Sequence, residues 1–261
     1  MITEPPTTYF QVIDNSAGTP VILHAPHGGR IIPPEHLGSY LISPPELEVE
    51  KDAMTDHHTD TLVAAITGAS AVINSMSRFA VDVERFPDET EEMNAVGMGV
   101  LYTHGSRGQE IRRVSAADEA SLLEYFAGYS RRFTNLVDAT LAQHGRAVII
   151  DVHSYPQREL PYELHGGAAR APLCIGSDPF HASAPLLRTV TESFAGLESA
   201  ANTPFAGSYV PLKHYRTDAR VSSVMLELRR DVYLDEATVE INEAGFLGLQ
   251  QSLQRLVDRL A

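Results

Sequence analysis

Apolar residues recur along this chain in two alternating rhythms. Short continuous runs read as strands covered on both faces, and longer stretches with apolar positions three and four apart read as helices. Val21-Ile-Leu-His-Ala predicts a strand that runs into the turn-rich Pro26-His-Gly-Gly-Arg-Ile-Ile-Pro-Pro. A helical stretch after Thr55 carries Leu62, Val63 and Ile66 on one side, with Gly68 as its stop. Ala71-Val-Ile-Asn and Phe79-Ala-Val-Asp-Val predict two further strands. A long helix then places Leu122, Phe126, Tyr129, Phe133, Leu136, Val137 and Leu141 on one face and ends near Gly145.

Directly after that helix, Ala147-Val-Ile-Ile-Asp-Val has the continuous apolar character of a central strand. Pro172-Leu-Cys-Ile-Gly and Ser223-Val-Met-Leu-Glu-Leu predict the next strands, and Leu249, Leu253, Leu256, Val257 and Leu260 mark a C-terminal helix. This order predicts a three-layer α/β/α sandwich with a mixed, mostly parallel sheet. With no repeat and no long linker, residues 1–261 read as a single domain. Sites in such sheets form where strands end and loops begin.

Composition narrows the function. A hydrophobic fraction of 43% with 21% charged residues is that of a globular chain. Lys+Arg 20 against Asp+Glu 34 gives a net charge of -14, a field that repels phosphate backbones and anionic membrane surfaces. Nucleic acid and membrane are therefore not expected partners, and a small anionic substrate would need locally concentrated arginines. The only cysteine, Cys174, excludes an intramolecular disulfide and a thiolate zinc cluster, and its apolar setting reads as a buried strand thiol. No apolar run approaches the ~20 residues of a membrane span. Met1-Ile-Thr-Glu-Pro-Pro-Thr-Thr lacks a basic region followed by an apolar core, so no signal peptide is read and the cytoplasm is the expected location. No Gly-rich phosphate loop follows a first strand, which argues against a nucleotide-binding module.

Four polar constellations sit at predicted strand ends or helix starts. In His24-Ala-Pro-His-Gly-Gly-Arg30, a histidine leaves a strand into Pro and Gly residues that hold the backbone and free the ring. In Thr55-Asp-His-His-Thr-Asp60, a Thr55 cap would place Asp56 in the first helical turn, where the helix dipole favours a carboxylate. Asp56 and Asp60 would then share a face. Asp151-Val-His-Ser154 ends a buried strand with both Asp151 and His153 on one side of the sheet, where the carboxylate can orient a ligating imidazole. Glu227 interrupts the apolar strand Ser223-Val-Met-Leu-Glu-Leu. Between them, Ser77-Arg-Phe-Ala-Val-Asp-Val-Glu-Arg85 sets Arg78 and Arg85 around a strand, either as partners of Asp82 or as an anion clamp. Together, His27, a carboxylate near Asp56 and His153 make the two-His, one-carboxylate set of a catalytic zinc with an open position, and Glu227 would be its base.

These pieces, in this order, are similar to the N-formylglutamate amidohydrolase family. The similarity runs through Pro26-His-Gly-Gly, Thr55-Asp-His-His-Thr-Asp, Ser77-Arg-Phe-Ala-Val-Asp-Val-Glu-Arg and His144-Gly-Arg-Ala-Val-Ile-Ile-Asp-Val-His-Ser. It continues in Asn202-Thr-Pro-Phe-Ala-Gly-Ser-Tyr and Met225-Leu-Glu-Leu-Arg-Arg-Asp-Val-Tyr. The resemblance implies a zinc-carboxypeptidase-like fold and hydrolysis of an N-acyl amide on an acidic amino acid. By position it implies His27, Asp56 and His153 as ligands of one zinc per chain, with His58 and Asp60 as neighbouring alternatives to Asp56. It implies Glu227 as the catalytic carboxylate and Arg78 and Arg85 as the holders of substrate carboxylates. Gly128-Tyr-Ser130, Pro26-His-Gly-Gly and Leu160-Pro-Tyr-Glu-Leu-His-Gly-Gly depart from the family's usual pattern. Two other readings compete: a metallocarboxypeptidase or deacylase of another acyl amino acid or small peptide, and a catalytically silent binding protein of the same fold.

Overall fold

Nine consecutive buried residues, Ala147–Tyr155, form the central strand of the sheet, β4. The computed structural model describes residues 9–164 and 166–261. The N-terminal segment read for a signal peptide and His165 of the departing Leu160 loop lie outside the described residues. In chain order the other strands are β1 (Phe10–Ile13), β2 (Val21–Ala25), β3 (Ser70–Asn74), β5 (Leu173–Gly176), β6 (Ser199–Ala201) and β7 (Val221–Arg229). The helices are α1 (Pro44–Met54), α2 (Thr59–Ala64), α3 (Ala116–His144), α4 (Ala184–Ser193) and α5 (Glu243–Leu260). The strands form one sheet in the order β1-β3-β2-β4-β7-β5-β6. β2, β3, β4 and β7 pair in parallel, as do β5 and β6, while β1–β3 and β5–β7 are antiparallel. The sheet is mixed and mostly parallel, as the alternation predicts.

Period-two alternation assigns the strand residues to two cores. Ile22, Val72, Ile149 and Val221 pack against Tyr129, Phe133, Leu136 and Val137 of α3. Leu23, Ile150, Val152 and Leu226 pack on the opposite face with Leu62 of α2, Leu186 of α4, and Leu249, Leu253 and Leu256 of α5. Three layers result. His24, Asp151, His153 and Glu227 share parity with the first set and so project from the α3 side.

Local signals set the helix limits. The Ser115 side chain accepts a hydrogen bond from Asp118 N at the start of α3, and Gly145, at φ 67°, closes it. In α1 the Glu46 carboxylate accepts from both the N–H and the hydroxyl of Ser43. That Ser-x-x-Glu signature, with prolines in the first turn, announces a helix that apolar periodicity alone does not.

Two expectations need correction. Phe79 to Val83 is not a strand: Ala80 N and Val81 N turn back onto Ser77 O. The carbonyls of Phe79 and Ala80 are taken by the buried Arg112 guanidinium, and Tyr40 OH also donates to Phe79 O. A buried coil looks like a buried strand in sequence when a distant side chain satisfies its backbone. Thr55, in turn, caps the C-terminus of α1 rather than starting a helix, and α2 begins at Thr59 behind His58 in a left-handed conformation. Asp56 therefore lies in the link between helices and shares no helical face with Asp60.

The turn after β2 is pressed against the chain leaving β3. A Cβ on Gly29 would stand 2.2 Å from the carbonyl carbon of Ser75, which is backbone and cannot swing aside. Gly29→Ala should therefore cost about 1–3 kcal/mol through overpacking. Chemical denaturation measures this, and an unchanged midpoint would contradict the close approach.

Candidate active site

The C-terminal ends of β2, β4 and β7 converge on one cavity. Parallel pairing sets His153 of β4 opposite Glu227 of β7. His27 follows β2 by two residues, and its carbonyl accepts from Asp56 N at 3.0 Å, so the backbone ties two of the polar segments together. Thr59 Oγ1 holds the Asp56 carbonyl from the other side.

Three side-chain donor atoms meet there. His153 Nδ1 lies 3.0 Å from Asp56 Oδ2 and 3.3 Å from His27 Nδ1, and His27 Nδ1 lies 3.8 Å from Asp56 Oδ2. All three residues are buried, and together they could hold a metal ion. His58 and Asp60 stand apart. The His58 ring bonds to Val239 O, and Asp60 Oδ1 accepts from Thr61 N.

The far nitrogens of both imidazoles face carboxylates. His27 Nε2 bonds to Asp82 Oδ1 at 2.9 Å. His153 Nε2 lies 3.0 Å from Asp151 Oδ1 and 3.3 Å from Glu84 Oε2, contacts that are electrostatic rather than in-line hydrogen bonds. Carboxylates in this position orient a ligating ring and fix its tautomer. A further layer lies below: Asp151 Oδ1 meets His24 Nδ1 at 2.9 Å, and His24 Nε2 meets Tyr129 OH of α3 at 2.6 Å. His24 is fully buried, and it is His27 of the first motif that lines the cavity; His24, Glu84 and Asp151 form a second group whose donor atoms could hold a metal ion.

Charge is dense and unevenly compensated. Asp82, fully buried, accepts from Tyr102 OH and Arg78 Nη2 and lies 3.3 Å from Arg85 Nε. Burial pushes its carboxyl up, but the charges of His27, Arg78 and Arg85 outweigh that and hold it well below 3.8. Burial likewise opposes ionisation of Asp56, yet the His153 hydrogen bond and the charges of His153, His27 and Arg78 bring it to about 2. Glu227 goes the other way. Burial, reinforced by the negative charges of Asp56 and Asp151, raises it to about 8 against the pull of His153 and Arg78. Its Oε2 is buried without a hydrogen-bond partner.

The cavity above these groups has a volume of about 520 Å³ and is lined by His27, Asp56, Arg78, Arg85, His153 and Glu227 among others. Every site residue predicted from the sequence reaches it. Arg78 and Arg85 pair with Asp82, as one reading of them has it, and they also line the cavity. Sequence reasoning passed over Glu84, although it stands two residues from Asp82, the spacing that links Asp151 and His153. The buried thiol is as expected: Cys174 is fully buried and donates to Phe205 O.

The model of the N-formylglutamate amidohydrolase family matches residues 19–234. The chain belongs to that family. Membership makes it an enzyme that hydrolyses an amide bond. The crystal structure of N-formylglutamate amidohydrolase from Ralstonia eutropha JMP134 is similar, with 23% identity, 96% of each chain covered and a TM-score of 0.81. That of gene product Atu2144 from Agrobacterium tumefaciens shows 18% identity over 94% of each chain, with a TM-score of 0.67. These likenesses establish a shared fold. No curated protein is similar enough in sequence to count as a match. Among the described residues no helix is long and apolar enough to cross a membrane.

In this amidohydrolase Asp82 anchors His27, Arg78 and Arg85 together, so its loss leaves buried positive charge uncompensated. Asp82→Asn should cost about 3–5 kcal/mol of stability, the range for breaking one side of a buried pair. Urea denaturation at neutral pH tests this, and a loss below about 1 kcal/mol would remove Asp82 from that role.

Proposed function

We propose that the protein hydrolyses a small N-acyl acidic amino acid resembling N-formylglutamate, with one zinc ion per chain held by His27, Asp56 and His153. The observation that carries this reading is the triangle of donor atoms at the base of a cavity that Glu227 and arginines also line. Tetrahedral zinc with bonds of about 2.0–2.2 Å keeps neighbouring ligand atoms about 3.4 Å apart. The edges of 3.0, 3.3 and 3.8 Å bracket that spacing. Two imidazoles and one carboxylate are the donors of a catalytic site with a position left open. Charge argues the same way: Asp56, Asp151 and Glu84 crowd His153 while Asp82 is matched by the arginines, and buried carboxylates need a counter-charge.

A zinc ion in such a site supplies Lewis-acid polarisation of the scissile carbonyl and activation of water. Glu227 takes a proton from the attacking water and returns one to the departing amine. Positive charge nearby lowers a carboxyl raised by burial, which brings Glu227 into the range of a base at neutral pH. Asp82 and Asp151 keep the ring nitrogens of His27 and His153 facing Asp56. Arg78 and Arg85 draw in a substrate carboxylate and set the amide beside Glu227. The cavity has the size of a small-molecule site, about 300–1,000 Å³ in general, which favours an acyl amino acid over a peptide.

Metal analysis of the purified protein should find about one zinc per chain, and His153→Ala should lose it, since only two ligands of the triangle would remain. Full occupancy in that variant removes His153 from the site.

The reaction itself is tested by amine release. N-formylglutamate should be cleaved at least about tenfold faster in kcat/KM than N-formylleucine or an unblocked tetrapeptide, because a ligand without the second, side-chain carboxylate leaves a buried guanidinium group unmatched. Glu227→Gln should keep the metal and lose about 10²–10⁴-fold in turnover. Equal cleavage of N-formylleucine would favour the broader deacylase reading. A loss below about tenfold in the Glu227 variant would point to another base.

A further inference from the structure

The three guanidinium groups lining the cavity are not equivalent. Arg78 and Arg85 share Asp82, and Arg85 Nη1 also lies 3.6 Å from Glu91 Oε1. Arg78 Nη1 also lies 4.0 Å from Asp56 Oδ1, and Arg85 Nε, although it makes no hydrogen bond, lies 3.3 Å from Asp82 Oδ2, so much of their charge is already matched by fixed carboxylates.

Arg230 stands differently. It opens the short turn after β7, three residues beyond Glu227, and only 5% of it is exposed. Its Nη1 donates to Ala53 O at 2.9 Å, a neutral partner, and its Nε is buried with no partner. No carboxylate of the described residues lies within 4.0 Å of it. The adjacent Asp231 is turned away and forms a two-pronged pair with Arg229, at 2.7 and 3.1 Å. Arg230 lines the cavity, and its Nε, half of the fork that matches a carboxylate side-on, is left without a partner. A buried guanidinium without a counter-ion is costly. An anionic ligand in the cavity removes that cost.

We infer that Arg230 binds one of the two carboxylates of the substrate, leaving the Arg78–Arg85 pair to bind the other. This rests on the reading of the substrate as an N-acyl dicarboxylic amino acid. Specificity then has two separate anion points: the Arg78–Arg85 pair, where Asp82 fixes the guanidinium groups, and Arg230, where Ala53 O does. A ligand carrying only one carboxylate satisfies one point and leaves the other unmatched.

The test compares the zinc-loaded wild type with Arg230→Gln and Arg230→Lys on N-formylglutamate and its two monoamides, N-formylglutamine and N-formylisoglutamine. Arg230→Gln should lower kcat/KM for N-formylglutamate by about tenfold or more, mainly through KM, as expected when a charged anchor of uniform binding is lost. For one monoamide, the one lacking the carboxylate that Arg230 holds, the loss should shrink to less than about threefold. Arg230→Lys should recover part of the loss, because charge returns without the planar fork. An equal loss on all three substrates would show that Arg230 acts only through its tie to Ala53, and no loss on any would show that it binds nothing. Calorimetry gives a reading independent of turnover: Arg230→Gln should weaken glutarate binding by about tenfold and change butyrate binding by less than about threefold. If the wild type cleaves none of the three amides, the proposed reaction fails by itself, while unchanged glutarate binding would overturn the role of Arg230.

Discussion

The parallel register between β4 and β7 is the constraint on which the site depends. Nine consecutive pairs run from Ala147 opposite Val221 to Tyr155 opposite Arg229, and both strands are buried almost throughout. The apolar alternation sends Ile149 and Val221 toward α3 and Ile150 and Leu226 toward the other helices. The same alternation carries Asp151, His153 and Glu227 onto the α3 side. A slip of one residue would turn the apolar set to the wrong core and the polar set away from the cavity. The core thus positions the chemistry as a by-product of its own packing.

What the register brings together is a concentration of buried carboxylates, and the surrounding structure is arranged to tolerate it. Asp82 is matched by two arginines and a tyrosine hydroxyl. Asp151 is held by His24 and by Tyr209 N, and His24 is braced in turn by Tyr129 on the opposing helix. The long helix α3 is therefore more than a cover for the sheet, because one of its side chains ends the polar chain that begins at His153. Buried polar networks of this kind are worth having only when their members are satisfied. Several buried atoms without a hydrogen-bond partner, among them Glu84 Oε1, His153 Nε2, Glu227 Oε2 and Arg230 Nε, lie on residues that line the cavity.

The sequence made the elements with strong apolar rhythm legible: β4, β7, α3 and α5 all lie where the pattern places them. It was less informative where satisfaction of the backbone is non-local. The run from Phe79 to Val83 has strand composition, yet Arg112, some thirty residues on, takes its carbonyls and lets it coil. Asp56 was legible as a polar outlier but not as a link residue, because the capping signal that matters belongs to Ser43 and Glu46 at the start of the preceding helix. Tyr129 reaches the site through a contact across 105 residues that no local spacing encodes, whereas Glu84 carried a signal in its spacing from Asp82. The candidate ligands were legible for the opposite reason: polar residues at the ends of apolar strands are costly, and so they stand out.

Groups of opposite charge line one cavity. Asp56 and Glu84 stand there with the two imidazoles, a setting that attracts a cation. The guanidinium groups of Arg78, Arg85 and Arg230 line it too, a setting that attracts carboxylates. In a chain of net charge -14, long-range forces oppose an anionic ligand at every approach, so its affinity must come from contacts made inside the cavity. In the proposed reaction such contacts would reward a ligand whose carboxylates and amide match the spacing between the guanidinium groups and Glu227. Holding the charged ends on the arginines would leave the neutral amide as the part of the ligand beside Glu227, and selection for charge and alignment for hydrolysis would then be the same act of binding.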